Sequence, residues 1–178
     1  RARWEEILDR LIEARLDVLL LMETRVEDIL RDRDILDRYR KAGIVHVYMG
    51  AESGDDDVLR RLGKDLDAKS TKEAVALLKD AGIVSETSFM IGFPHETWDS
   101  IERTLASAID MDPDIAVFPI VTPWPYTPLY AEMRDRIRVL DYSKYNLVTP
   151  IVEPDAMSLD EVSHALGKCY MDFYSRKM

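Results

Sequence analysis

Carboxylates, a guanidinium and glycines cluster where a backbone can present them to a small ligand: Glu23-Thr24-Arg25, Gly50-Ala51-Glu52-Ser53-Gly54, and Gly92-Phe93-Pro94-His95-Glu96. Glycine has no Cβ, so a carboxylate flanked by glycines, as Glu52 is, can approach a ligand's hydroxyl or ammonium groups closely. Arg25 offers a planar fork that fits a carboxylate through two hydrogen bonds. A fourth stretch, Thr122-Pro123-Trp124-Pro125-Tyr126, places two flat aromatic rings on a proline-stiffened loop, which suits a large apolar ligand.

Each of these stretches also has a purely structural explanation. Gly50 and Gly54 can form a tight turn with Glu52 capping the next helix, and Glu96 suits the positive N-terminus of a helix. Trp124 and Tyr126 can cover the end of a core. His95 alone makes no metal site, His46 falls in a strand pattern where packing or hydrogen bonding is the ordinary role, and His164 belongs at the solvent edge of a helix. The acids Asp55, Asp56 and Asp57 fit a helix start. Cys169 lies in an apolar stripe with Tyr170 and Phe173, where a free cysteine packs as a small hydrophobe. A single cysteine allows neither an internal disulfide nor a thiolate cage for zinc or iron.

The elements that carry these residues follow from apolar spacing. Ile7, Leu8, Leu11, Ile12 and Leu16 recur at intervals of three and four, predicting a helix over residues 5–16. The apolar runs 18–22 and 44–49 predict strands buried on both faces. Asp34 is the expected cap of a helix running to Ala42 and stopped by Gly43. Arg40-Lys-Ala-Gly-Ile44 and Lys79-Asp-Ala-Gly-Ile83 repeat one phrase, in which a helix ends and a strand begins. A helix at 70–81, a strand at 87–91, a helix at 98–111 and a strand at 115–121 continue the alternation, which implies parallel strands joined by crossovers. Residues 141–157 read as irregular, and Ser158 with Glu161 as a capping box opening a last helix to about residue 175. In such folds ligands bind at the C-terminal ends of strands, where the four stretches above fall.

Composition narrows the class. The 178 residues suit one domain with a sizeable core, and 47% hydrophobic with 33% charged residues is ordinary for a globular chain. Twenty-four Lys and Arg against 34 Asp and Glu leave a net charge of −10, which repels a nucleic-acid backbone. No apolar run reaches the length of a membrane span and residues 1–16 do not resemble a signal peptide, so a cytoplasmic location is expected.

In order, the strand-end stretches, together with Leu59, Lys64 and Ala81-Gly82-Ile83, resemble the radical S-adenosylmethionine superfamily, in the branch that carries a cobalamin-binding domain. The resemblance spans residues 20–130. The loop from Thr122 to Tyr130 and the later Asp141-Tyr-Ser-Lys-Tyr-Asn146 are similar, more narrowly, to the anaerobic magnesium-protoporphyrin IX monomethyl ester oxidative cyclases, which build the isocyclic ring of bacteriochlorophyll with oxygen from water. The resemblance implies an α/β fold: a six-stranded partial parallel (β/α) barrel of which this chain supplies the last four strand-helix units over residues 1–140, with a C-terminal extension over 141–178 ending in a helix. It also implies S-adenosylmethionine, a four-iron four-sulfur cluster and cobalamin as cofactors, and a porphyrin-like substrate. By carry-over, Glu52 with Ser53 contacts ribose hydroxyls or the methionine amine, Arg25 pairs with the methionine carboxylate, Ile91 and Gly92 lie against adenine, Glu96 orients its loop, and Trp124 and Tyr126 face the macrocycle. No residue is assigned as the catalytic group or as a metal ligand.

One departure from the family is large. Its C-x-x-x-C-x-x-C cluster loop is absent, so the isolated chain is expected to be catalytically silent; reductive cleavage of S-adenosylmethionine by it would refute this. The strand at 18–22, lacking its neighbour, is expected to pair with another chain or to be covered by the first helix. Two other readings stay open: a cobalamin-dependent radical methyltransferase, and a non-catalytic α/β interaction domain whose glycines and acids are turns and caps.

Overall fold

The computed structural model describes residues 1–53 and 68–178; Gly54, Asp55, Asp56, Asp57, Leu59 and Lys64 lie outside the described residues. In chain order the elements are α1 (Ala2–Ala14), β1 (Leu20–Thr24), α2 (Val26–Arg31), α3 (Leu36–Lys41), β2 (Ile44–Glu52), α4 (Ala68–Asp80), β3 (Val84–Phe89), α5 (Trp98–Met111), β4 (Ile115–Val117), α6 (Pro128–Met133) and α7 (Leu159–Tyr174). The four strands form one parallel sheet in the order β1-β2-β3-β4, and it does not close on itself among the described residues.

Strand residues alternate between two faces, and the described helices pack on one of them. Toward the helices point Val47 and Met49 of β2, Phe89 of β3, and Ala116 with the following Phe118 from β4. The half of the core under β1 and β2 is filled by Leu8 of α1, Ile29 of α2, Tyr39 of α3 and Leu78 of α4. The other half is filled by Ile101 and Leu105 of α5 and by Val162, Cys169 and Phe173 of α7. The opposite face, with Tyr48, Gly50, Ser88 and Val117 among its residues, carries no helix layer among the described residues. The alternation implied parallel strands, and the α/β partial barrel is the one that the resemblance implied.

Local signals account for the ends of several elements. Thr97 and Ser100 exchange side-chain-to-backbone hydrogen bonds of 3.2 and 3.0 Å at the start of α5, and Ser158 and Glu161 do the same at 3.3 and 2.7 Å for α7. Both capping boxes satisfy amides that a helix start leaves unpaired. Gly43 and Gly82 follow α3 and α4 with φ of 91° and 67°, a backbone that glycine adopts without penalty.

The structure corrects four expectations. The first strand is Leu20–Thr24 rather than 18–22, and it is not covered on both faces: Leu19 is 75% and Leu21 72% exposed. A short helix, α2, follows it at once. Asp34 does not cap α3; that place is held by Ile35, and Asp34 instead binds Arg1 at 2.6 Å. The third and fourth strands are Val84–Phe89 and Ile115–Val117, with Ile91 and Ile120 joined only by an isolated bridge.

The two edges of the sheet differ. On β4 the amides of Ala116 and Phe118 donate to the hydroxyls of Tyr174 and Tyr170 at 3.1 and 3.2 Å, and the Tyr174 hydroxyl donates back to the Ala116 carbonyl at 2.9 Å. β1 stands at the other end of the strand order, with β2 as its sole strand partner among the described residues.

Candidate functional site

The uncovered face deepens at the C-terminal ends of the strands into a cleft of about 580 Å³. One wall is polar: Glu23 and Thr24 end β1, Arg25 and Glu27 begin α2, and Glu52 ends β2. The opposite wall is apolar, with Met90 beyond β3, Pro119 beyond β4, and Leu147 from the C-terminal segment. Tyr48, Gly50 and Ser88 lie between them.

Glu52 owes its position to a local irregularity. The pairing of β2 with β3 slips between Gly50 and Glu52, and Glu52 takes a left-handed backbone with φ 66°, a conformation that costs a non-glycine residue free energy. Its carbonyl accepts the Met90 amide at 2.8 Å, which fixes the bulge to the next strand. Its carboxylate folds back over Gly50, where an added Cβ would lie 2.6 Å from Oε1. A side chain at position 50 would therefore displace the Glu52 carboxylate from this place, and both residues belong to the strand end rather than to a separate turn.

Arg25 is the N-cap residue of α2, with extended backbone and an exposed side chain facing the cleft. The corner it occupies is held from both sides. Thr24 donates to Asp28 at 2.9 Å, and the buried Asp32 receives two guanidinium bonds from Arg31, at 2.8 and 2.7 Å, and the Tyr39 hydroxyl at 2.8 Å. Burial by itself would raise the Asp32 carboxyl; the bonds from Arg31 and Tyr39 outweigh it and hold the group below its ordinary value.

The remaining sequence-predicted residues are not in the cleft lining. The Ser53 side chain is buried and its Oγ lies 3.2 Å from Thr104 Oγ1 of α5, on the helix side. Ile91 is fully buried in the same core, and Gly92, with φ 84°, faces Ile120 and Val162. Their link to the cleft runs through the main chain: the Ile91 amide donates to the Pro119 carbonyl at 3.0 Å. Glu96 is buried and accepts the Phe93 amide at 2.9 Å, so it organises its loop, as expected. Trp124 is 38% and Tyr126 85% exposed, which removes Tyr126 from any core. Trp124 lies 6.2 Å from Tyr145, itself 5.2 Å from Tyr142.

The histidines and the cysteine keep ordinary roles. His46 Nε2 meets Glu86 at 2.8 Å, His95 stacks on Phe93, and His164 is exposed. Cys169 is buried, and burial pushes its thiol up to about 12. Among the described residues no group of three or more His, Cys, Asp or Glu side chains could hold a metal ion, and no helix is long and apolar enough to cross a membrane.

Sequence reasoning missed Tyr48, Ser88, Met90, Pro119 and Leu147. Tyr48 was accessible by counting back in twos from Glu52, and Ser88 and Met90 as the residues that alternate with Phe89 and Ile91 at the end of the third strand. Leu147 had no such signal, because its place is set by a turn in an irregular segment.

Residues 1–108 match the family model described as the Radical SAM superfamily. Over 177 residues the chain is 40% identical to the anaerobic magnesium-protoporphyrin IX monomethyl ester cyclase of Rubrivivax gelatinosus, covering 99% of this chain and 32% of that protein. Among solved structures, coproporphyrinogen III oxidase (HemN) from Escherichia coli, a radical SAM enzyme, superposes with a TM-score of 0.68 at 17% identity, over 98% of this chain and 37% of that one. The radical S-adenosylmethionine methyltransferase TsrM from Kitasatospora setae, solved with cobalamin and a [4Fe-4S] cluster, gives 0.64 at 19% identity over 75% of this chain and 26% of its own. At such identities the structural matches speak for the fold alone. The chain spans about a quarter to a third of the length of the cyclases it matches.

Proposed function

The chain belongs to the radical SAM superfamily, and on that premise we propose that it forms the second part of the cofactor barrel of an anaerobic cyclase acting on magnesium-protoporphyrin IX monomethyl ester. The observation that carries this reading is the 40% identity to such a cyclase along nearly the whole chain. In this reading residues 1–140 are barrel and residues 141–178 an extension that lays α7 against it.

The polar wall suits S-adenosylmethionine. Glu52 accepts from ribose hydroxyls or the methionine ammonium, and Arg25 pairs with the methionine carboxylate, a bidentate match. Ile91, Gly92 and Ser53 serve from behind, setting the backbone on which Pro119 and Glu52 stand. Bound in such enzymes, S-adenosylmethionine supplies the organic radical that begins the reaction. Trp124 and Tyr126 offer the macrocycle a flat apolar shelf.

The four-iron cluster does not fit residues of this chain: its one thiol is buried among helices and held protonated. The cluster and cobalamin therefore belong, in this proposal, to other sequence, and the chain alone is silent in reductive cleavage.

Titration calorimetry with S-adenosylmethionine tests the site. Replacing Glu52→Gln keeps the shape and removes the charge, and loss of a charged hydrogen bond predicts affinity lower by about tenfold or more. Equal affinity in the two proteins removes Glu52 from the site. Tight binding of S-adenosylmethionine by the wild-type chain argues against the interaction-domain reading.

A further inference from the structure

Four non-glycine residues among those described hold a left-handed backbone: Arg15, Glu52, Asp112 and Leu147. Arg15 and Asp112 are the C-caps of α1 and α5, an ordinary place for that conformation. The other two, Glu52 and Leu147, both line the cleft, one on each wall. A leucine at φ 65° persists only where its surroundings impose the strain, and such residues gather at ligand sites.

The surroundings of Leu147 impose it through the main chain. Its carbonyl accepts the Ile120 amide at 2.7 Å, at the end of the β4 segment. Just before it, Asn146 Oδ1 receives the amides of Val148 and Thr149 at 3.0 and 2.8 Å. The strain gains the side chain little shelter, since Leu147 remains 44% exposed. It stands with Pro119 and Met90 on the apolar wall, two residues along from Tyr145, which packs against Trp124. Leu147 and the aromatic loop are thus borne by one packed unit.

The geometry points to Leu147 as a specificity-determining residue, an apolar tooth that packs against the flank of a large macrocyclic substrate in the cleft. The assignment rests on the proposed function above and adds to it the residue that recognises the apolar side of that substrate.

The test is binding of magnesium-protoporphyrin IX monomethyl ester, followed by quenching of tryptophan fluorescence, and of S-adenosylmethionine by calorimetry. Wild type is compared with Leu147→Gly and Leu147→Asn. Glycine and asparagine both accept a left-handed backbone, so both variants melt at or above the wild-type temperature. Porphyrin affinity is expected to fall about tenfold in each, while S-adenosylmethionine affinity stays within about twofold. Unchanged porphyrin affinity overturns the assignment and leaves the proposed function standing. A matching loss of S-adenosylmethionine affinity also overturns it, placing Leu147 against the nucleoside. Lower melting temperatures in both variants would make Leu147 a packing residue and nothing more. A wild-type chain that takes up no porphyrin overturns this assignment and the function it rests on together.

Discussion

Gly43 and Gly82 hold the same place in the repeated Ala-Gly-Ile phrase, yet the structure gives their replacement by alanine different costs. Both have positive φ, so an alanine at either position loses roughly 1–2 kcal/mol to backbone strain. At Gly82 that is all, because nothing lies within 4 Å of an added Cβ. At Gly43 the Cβ would sit 2.6 Å from the Val18 carbonyl oxygen, on the order of 1 Å short of ordinary contact. That oxygen is main chain and cannot swing aside. Relief requires moving the segment that enters β1, which the Gly43 carbonyl holds by accepting the Leu20 amide at 2.8 Å. Weakening that bond adds roughly 1 kcal/mol. Urea unfolding followed by circular dichroism should therefore show Gly82→Ala losing about 1–2 kcal/mol and Gly43→Ala about 2–3 kcal/mol, with similar slopes. Equal losses, or a larger loss at Gly82, would refute the claim that close approach and not φ alone selects glycine at position 43.

Cys169 gives a pH-dependent counterpart. Its folded thiol titrates at about 12 against an ordinary 9.0, so above the ordinary value the unfolded chain sheds this proton first and stability falls as pH rises toward the folded value. The urea midpoint should drop over that window more steeply in wild type than in Cys169→Ala, and folded protein at about pH 8 should resist thiol reagents; rapid labelling of the folded chain would contradict this. Changing Tyr126 to alanine should weaken porphyrin binding with little change in melting temperature, because losing this exposed side chain costs under about 0.5 kcal/mol; a collapsed melting temperature would make it structural.

The legible parts of the sequence were those fixed by local chemistry. The span of α5 and the capping box of α7 are written within a few residues of themselves, and the helix-glycine-strand phrase announced the parallel alternation. What escaped depends on partners distant in the chain. The apolar run at 18–22 looks like a strand covered on both faces, but which of its residues pair is decided by the register with Ile44 and its successors, and Leu19 and Leu21 stay exposed. α2 is six residues long and is held by the buried Asp32 with Arg31 and Tyr39, an arrangement no periodicity reveals. In the site, Arg25 and Glu52 were readable because a guanidinium and a glycine-flanked carboxylate advertise themselves. Ser53, Ile91 and Gly92 were read as cofactor contacts, but a step of one residue turns a side chain to the other face, and the side chains of Ser53 and Ile91 turn toward the helices while Gly92 faces Ile120 and Val162.

The tyrosine hydroxyls along β4 bear on where the sheet can grow. A strand arriving at that side would find its partners already taken, because the amides of Ala116 and Phe118 and the carbonyl of Ala116 are engaged by Tyr174 and Tyr170. α7 thereby ends the sheet at β4, and changing both tyrosines to phenylalanine would leave three main-chain groups open to an added strand.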